Sequence, residues 1–140
     1  MTRRPCAFVV KKQERVLIID NDPEASSALK DRLNALGHVT YCADSSMEGY
    51  KLAHELIPEI IFVRLDMAVL DGYSLANLLR TEHRFANTVL VAIADSPSMG
   101  DIRRIELAGF DRHISKSVED SELQSICNLK RRPPENPAAR

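Results

Sequence analysis

Residues 60–72, reading IIFVRLDMAVLDG, constrain the fold more tightly than any other stretch of the chain. Ile60, Ile61, Phe62 and Val63 form an unbroken apolar run of β-branched and aromatic residues, with Pro58 just upstream. A run without polar alternation suits a strand covered on both faces, as the inner strands of parallel sheets are. Arg64 falls where this strand must end, Asp66 lies just beyond it, and Asp71-Gly72 closes the loop. In open parallel sheets, ligands and chemistry gather at the carboxyl ends of the strands. A guanidinium placed there calls for a physical reason.

The rest of the chain supplies the partners such a strand requires. Residues 15–20 (RVLIID) read as a first strand, and Asn21-Asp22-Pro23 ends it and starts a helix. Asp22 can cap that helix, and Pro23 fits the first helical position, where its missing N–H costs nothing. Ala25, Leu29, Leu33 and Leu36 keep helical spacing until Gly37 stops the run. Residues 39–42 form a short second strand. Ser45 and Glu48 have the spacing of a capping box for a helix reaching Leu56, in which Gly49 costs about 1 kcal/mol relative to alanine and predicts a soft helix. After the central strand come a helix over 74–82, a buried strand over 88–94 (TVLVAIA), and a polar turn over 95–100. A helix over 101–108 stopped by Gly109, a short strand over 112–114, and a last helix capped by Asp120 with Leu123, Ile126 and Leu129 complete the pattern.

Five strands alternating with five helices through short connections predict a doubly wound α/β domain. Its sheet is five-stranded and parallel with helices on both faces, and its expected strand order is the flavodoxin-like 2-1-3-4-5. Residues 1–14 precede it as an extension, 15–130 form the domain, and 131–140 (RPPENPAAR after Arg131) have the proline and charge content of a disordered tail. A net charge of −1 argues against a nucleic-acid surface, and no apolar run reaches membrane-spanning length. Cys6, Cys42 and Cys127 are odd in number and scattered, which fits reduced thiols in a cytoplasmic protein better than a disulfide framework or a metal site.

A buried strand, a charged residue at its end and Asp-Gly seven residues later resemble the centre of a response-regulator receiver domain, and the resemblance covers residues 15–130. In that family the strand-end residue is an aspartate that takes a phosphoryl group from a histidine kinase. Mg²⁺ is held there by this aspartate and by acids at the end of the first strand. A hydroxyl ending the fourth strand and a lysine ending the fifth contact the phosphoryl group. By this resemblance the first acid is Asp20, the second acid is replaced by Asn21, and the acceptor is replaced by Arg64. The hydroxyl is replaced by Ile93, the lysine is kept as Lys116, and the aromatic switch position holds His113. The prolines after the acceptor and after the lysine are Ala68 and Ser117.

Arg64 cannot form an acyl phosphate and stays protonated. It reads either as a solvated surface charge or as an internal counter-ion paired with Asp20, and with Asp66 as a further candidate partner; the second reading is favoured. A resident cation would neutralise the remaining acids and repel Mg²⁺, so no metal or other cofactor is expected, with Asp20, Asn21 and Asp66 as weak candidates for an ion. For serine a cis peptide bond costs about 2.5–4 kcal/mol, so Lys116–Ser117 is expected to be trans, with Lys116 moved from the family's position. His38, His54, His83 and His113 lack metal-ligand spacing, and only His113 is held open as a gate near the last strand. No glycine-rich loop follows the first strand, which argues against nucleotide or flavin binding.

The expectation is therefore a non-enzymatic, cytoplasmic pseudo-receiver acting by phosphorylation-independent protein–protein contact. Its partner would be a histidine kinase or another regulator, or a second copy through the face of the fourth helix, fifth strand and fifth helix. The alternative is a phosphorylatable switch that uses Asp66 as a displaced acceptor.

Overall fold

The computed structural model describes residues 13–130. The expected tail at 131–140 and all but the last two residues of the expected extension at 1–14 lie outside the described residues. The order is β1 (Arg15–Ile19), α1 (Pro23–Ala35), β2 (Val39–Ala43), α2 (Ser46–Leu56), β3 (Ile60–Arg64) and α3 (Gly72–Arg80). A 3₁₀ turn (His83–Phe85) follows, then β4 (Val89–Ile93), α4 (Met99–Ala108), β5 (Arg112–Ile114) and α5 (Asp120–Cys127). All four strand pairings are parallel, in the order β2-β1-β3-β4-β5. The doubly wound, flavodoxin-like sheet is thus the one its sequence predicts.

Side-chain alternation along the strands divides the core in two. Leu17 and Ile19 of β1 with Ile61 and Val63 of β3 face the layer of α2, α3 and α4. Val16 and Ile18 with Ile60 and Phe62 face α1 and α5. The continuous apolar run of β3 has its cause here: every residue from Ile60 to Val63 is buried, whichever face it points to. Burying a side chain such as Phe62 in full contributes about 1.5–3 kcal/mol.

The helix starts show where local signals were legible. The Asp22 carboxylate accepts from the N–H groups of Glu24 and Ala25, and Pro23 takes the first helical position of α1. Ser45 caps α2 through the Glu48 N–H, but the Glu48 carboxylate reaches back to the Asp44 N–H at 3.4 Å, so the expected reciprocal box with Ser45 does not close. α3 begins at Gly72, before the expected 74, because the Asp71 side chain accepts from the Ser74 N–H at 2.8 Å. It ends at Arg80, before the expected 82, and the 3₁₀ turn then carries Phe85 into the core. α4 begins at Met99, before the expected 101, with a capping box formed by Ser98 and Asp101. Asp120 does not cap α5 as expected. Glu119 holds that position without a side-chain bond, and the Asp120 carboxylate instead accepts from Arg32 Nε at 2.9 Å, tying α5 to α1. Leu129 lies past α5 but still packs on its side of the core.

Gly49 has a packing reason beside its helix-propensity cost. A Cβ built there would stand 2.5 Å from Ile19 Cδ1 and 2.8 Å from its Cγ2, inside a fully buried residue of β1. The glycine lets α2 lie close on the sheet, so packing rather than weakness explains it. No helix among the described residues is long and apolar enough to cross a membrane.

Candidate functional site

The carboxyl ends of β1, β3, β4 and β5 converge on one edge of the sheet. Ile19 and Val63 are register partners, so the residues that follow them, Asp20 and Arg64, stand side by side. Asp20 is held by its N–H bond to the Ala43 carbonyl at 3.0 Å, and Arg64, the last residue of β3, pairs with Ile93 of β4. Gly72 allows the loop after β3 to fold back: a Cβ there would lie 2.7 Å from the Arg64 carbonyl oxygen, and the Gly72 N–H donates to Leu65 at 3.0 Å.

Arg64 Nε donates to Asp20 Oδ1 at 2.6 Å, and the Asp22 N–H donates to the same oxygen at 2.9 Å. The Asp20 side chain is 2% exposed and that of Arg64 15%. The reading of Arg64 as a solvated surface charge is therefore excluded. The hydrogen bond to Asp20 raises the guanidinium above its ordinary range, and the charges of Asp20, Asp95 and Asp22 add to this against the opposing effect of burial. Arg64 Nη2 is buried and has no hydrogen-bond partner among the described residues.

The other expected positions divide in two groups. Ile93 is buried at the end of β4. Lys116 follows β5 on an exposed loop, where its ammonium stands 3.9 Å from Asp95 Oδ2 and its N–H donates to Asp95 Oδ1 at 3.1 Å. No cis peptide bond occurs among the described residues, so Lys116–Ser117 is trans. The turn is held locally by the Ser115 hydroxyl, which lies 3.0 Å from that of Ser117 and accepts the Ser117 N–H. Asn21 is exposed beside the site, and His113 is half-buried in the middle of β5, paired with Ala92. Asp66 is exposed and takes part in no ion pair among the described residues, which corrects the expectation that it shares Arg64.

Sequence reading missed Asp95, which it placed only in a polar turn. Its position one residue past Ala94, at the end of a buried strand beside the Lys116 loop, was the available signal. Among the described residues no three His, Cys, Asp or Glu side chains are arranged to hold a metal ion. Mg²⁺ wants several oxygen ligands. At this edge of the sheet the buried Asp20 carboxylate already has an oxygen bonded to the Arg64 guanidinium, so the residues present do not fit that ion.

A flavodoxin-like parallel sandwich with an acid ending β1 and a lysine following β5 defines a receiver-type signalling domain. The family model for the response regulator receiver domain matches residues 16–128, and the chain belongs to that family. It is 27% identical over 126 residues to the probable transcriptional regulator ycf27 of Guillardia theta, a match covering 89% of this chain and 48% of that protein. It is 28% identical over 109 residues to the DNA-binding dual master transcriptional regulator RpaA of Synechocystis, covering 78% of this chain and 45% of that one. The chain thus spans about half the length of these curated relatives. Among solved structures, the receiver domain of sensor histidine kinase PA1611 from Pseudomonas aeruginosa, with magnesium in its active-site cleft, superposes with a TM-score of 0.74 at 21% identity. That match covers 82% of this chain and 94% of that one. The Vibrio cholerae chemotaxis protein CheY4 gives 0.76 at 16% identity, covering 83% and 97%. At such identities these two structures establish the fold.

Proposed function

We propose that this chain is a pseudo-receiver: a two-component signalling module that acts by binding another protein and is not switched by phosphate. The observation that carries the reading is the 2.6 Å pair between Arg64 and the buried Asp20. By the family resemblance Arg64 stands at the acceptor position. A guanidinium there offers no nucleophile, and its charge takes the neutralising part that a divalent ion plays in phosphoryl transfer. Asn21 at the second acid and Ile93 at the hydroxyl position support the same conclusion. Asp66 is a poor substitute acceptor, being exposed and two residues past the strand end.

On this reading the module is cytoplasmic, catalyses nothing, binds no Mg²⁺ and no nucleic acid, and engages a histidine kinase or another regulator. The surface of α4, β5 and α5 is where a partner or a second copy would dock. The test is incubation with acetyl phosphate, and separately with beryllofluoride, each with Mg²⁺. The wild-type mass and amide spectrum should not change, and Arg64→Asp alone should remain unlabelled. The triple variant Asn21→Asp, Arg64→Asp, Ile93→Thr should be labelled. A stoichiometric mass shift in the wild type sinks the reading, and labelling of Arg64→Asp alone shows that Asn21 and Ile93 matter less than argued.

A further inference from the structure

The sheet has two edges, and they are finished differently. β5 closes one end with three residues, among them Arg112 and His113. β2 closes the other with five, Val39-Thr40-Tyr41-Cys42-Ala43, which carry no charge and no proline. Edge strands are normally guarded against further pairing by shortness, charge, proline or a bulge. β2 keeps an unbroken register with β1 from Val39 to Ala43, so it has no bulge either.

The register fixes which backbone groups of β2 look outward. The Val39 N–H donates to the Glu14 carbonyl and the Ala43 carbonyl accepts from the Asp20 N–H, both at 3.0 Å, so Val39, Tyr41 and Ala43 face β1. Thr40 and Cys42 alternate with them and turn their N–H and C=O groups to the open edge, where no strand pairs with them among the described residues. Tyr41 and Cys42 are exposed there, and the buried Thr40 hydroxyl has no hydrogen-bond partner among the described residues. A two-fold axis through Tyr41, the midpoint of the strand, makes β2 its own complement. Antiparallel pairing about that axis sets Thr40 against Cys42 of the other copy, Val39 against Ala43, and Tyr41 against Tyr41. Each outward N–H and C=O then meets its opposite. Facing residues project from the same side of a sheet, so the Cys42 thiol arrives on the side of the unpartnered Thr40 hydroxyl. Asp44, the first charged residue past the strand, falls opposite His38 and not opposite its own copy. A net charge of −1 leaves little repulsion between copies.

We propose that β2 is a dimerisation edge, at which a second copy of this chain pairs antiparallel about Tyr41 and joins the two sheets into one. The inference goes beyond the pseudo-receiver reading and stands apart from it, since it uses neither the residue at the acceptor position nor phosphate. It assigns the second copy to β2 and leaves the surface of α4, β5 and α5, at the far end of the sheet, for a different protein.

The experiment is sedimentation of the full chain, joined to amide exchange by NMR. Between about 10 µM and about 1 mM the chain should pass from monomer to dimer, with a dissociation constant on the order of 100 µM, as suits an interface at the small end of the range. Over the same range, exchange should slow at Thr40 and Cys42 and stay constant at Tyr41, whose N–H already faces β1. Cys42→Pro deletes an outward N–H and none of the bonds to β1, and Tyr41→Lys sets like charges against each other on the axis. Each variant should stay folded and self-associate at least about tenfold more weakly. Tyr41→Cys combined with Cys42→Ser should cross-link on mild oxidation, because facing residues of a non-hydrogen-bonded pair have Cα atoms about 4.5 Å apart, within disulfide reach. A chain that stays monomeric to about 1 mM overturns the proposal, and this is also the result if β2 serves a foreign strand. A dimer untouched by both edge variants, or one whose protection appears at residues 112–114 instead, overturns it equally. Acetyl phosphate labelling reads the pseudo-receiver proposal separately: a labelled protein that still pairs through β2 sinks that reading alone, and an unlabelled monomer sinks only the dimer.

Discussion

Replacing Arg64 with methionine keeps most of the aliphatic stem and removes the charge, so it isolates the pair with Asp20. The Asp20 carboxylate is 2% exposed and would keep only the Asp22 N–H, at 2.9 Å. Truncating one partner of a buried pair costs about 3–5 kcal/mol, because the other charge stays buried without compensation. Arg64 is 15% exposed, so some water can reach the site, which places the expected loss near the low end, about 3 kcal/mol. Asp20→Asn should cost less, about 1–2 kcal/mol, since an amide oxygen still accepts from the guanidinium. Combining the two changes removes both charges, and the double variant should be more stable than the sum of the single losses implies by at least about 1 kcal/mol. Urea melts of the four proteins at neutral pH, with a common slope, measure the cycle. If Arg64→Met lies within about 0.5 kcal/mol of wild type, or the coupling is absent, the guanidinium is no counter-ion and the functional proposal loses its foundation.

Three further outcomes follow from packing and ionisation. Gly49→Ala should destabilise the protein by about 1 kcal/mol net in the same melts, because overpacking against Ile19 outweighs the gain in helix propensity; an unchanged or raised midpoint refutes the close-approach argument. Burial, with the nearby charge of Glu14, pushes the Cys127 thiol up to about 11, so peptide mapping after iodoacetamide at pH 8 should show the exposed Cys42 alkylated and Cys127 intact, and equal labelling of both refutes it. The Glu82 carboxyl is held below its ordinary 4.5 first by the Tyr50 hydroxyl at 2.6 Å and then by His54 Nε2 at 2.8 Å. Because its folded value is the lower one, its contribution is present above 4.5 and is lost as pH falls through the folded value; Glu82→Gln should flatten that acid limb of the stability profile, and an unaltered limb excludes the link.

What could be read from the chain alone was whatever local chemistry decides. The apolar run 60–63, the Asp22-Pro23 start and the Gly109 stop each depend on residues a few positions apart, and parallel connection rules then leave one sensible strand order. Contacts between distant elements were less legible. Gly49 is costly by helix propensity, and only its close approach to Ile19, far earlier in the chain, makes a glycine the better residue there. Asp120 looked like a cap because capping is local, but Arg32, 88 residues away, claims its carboxylate. The Asp20–Arg64 pair was legible despite a separation of 44 residues, and the reason is geometric. Adjacent parallel strands place the residues after their ends together, so two opposite charges at those ends must meet or each stay unpaired in a half-closed pocket. The same reasoning could not assign Asp66 or Asp95, because both lie past the strands, where loop conformation rather than register sets direction. Legibility at this site therefore extends as far as the sheet does, and a cavity beside it, walled by a helix and a turn as well as by strand ends, falls outside that reach.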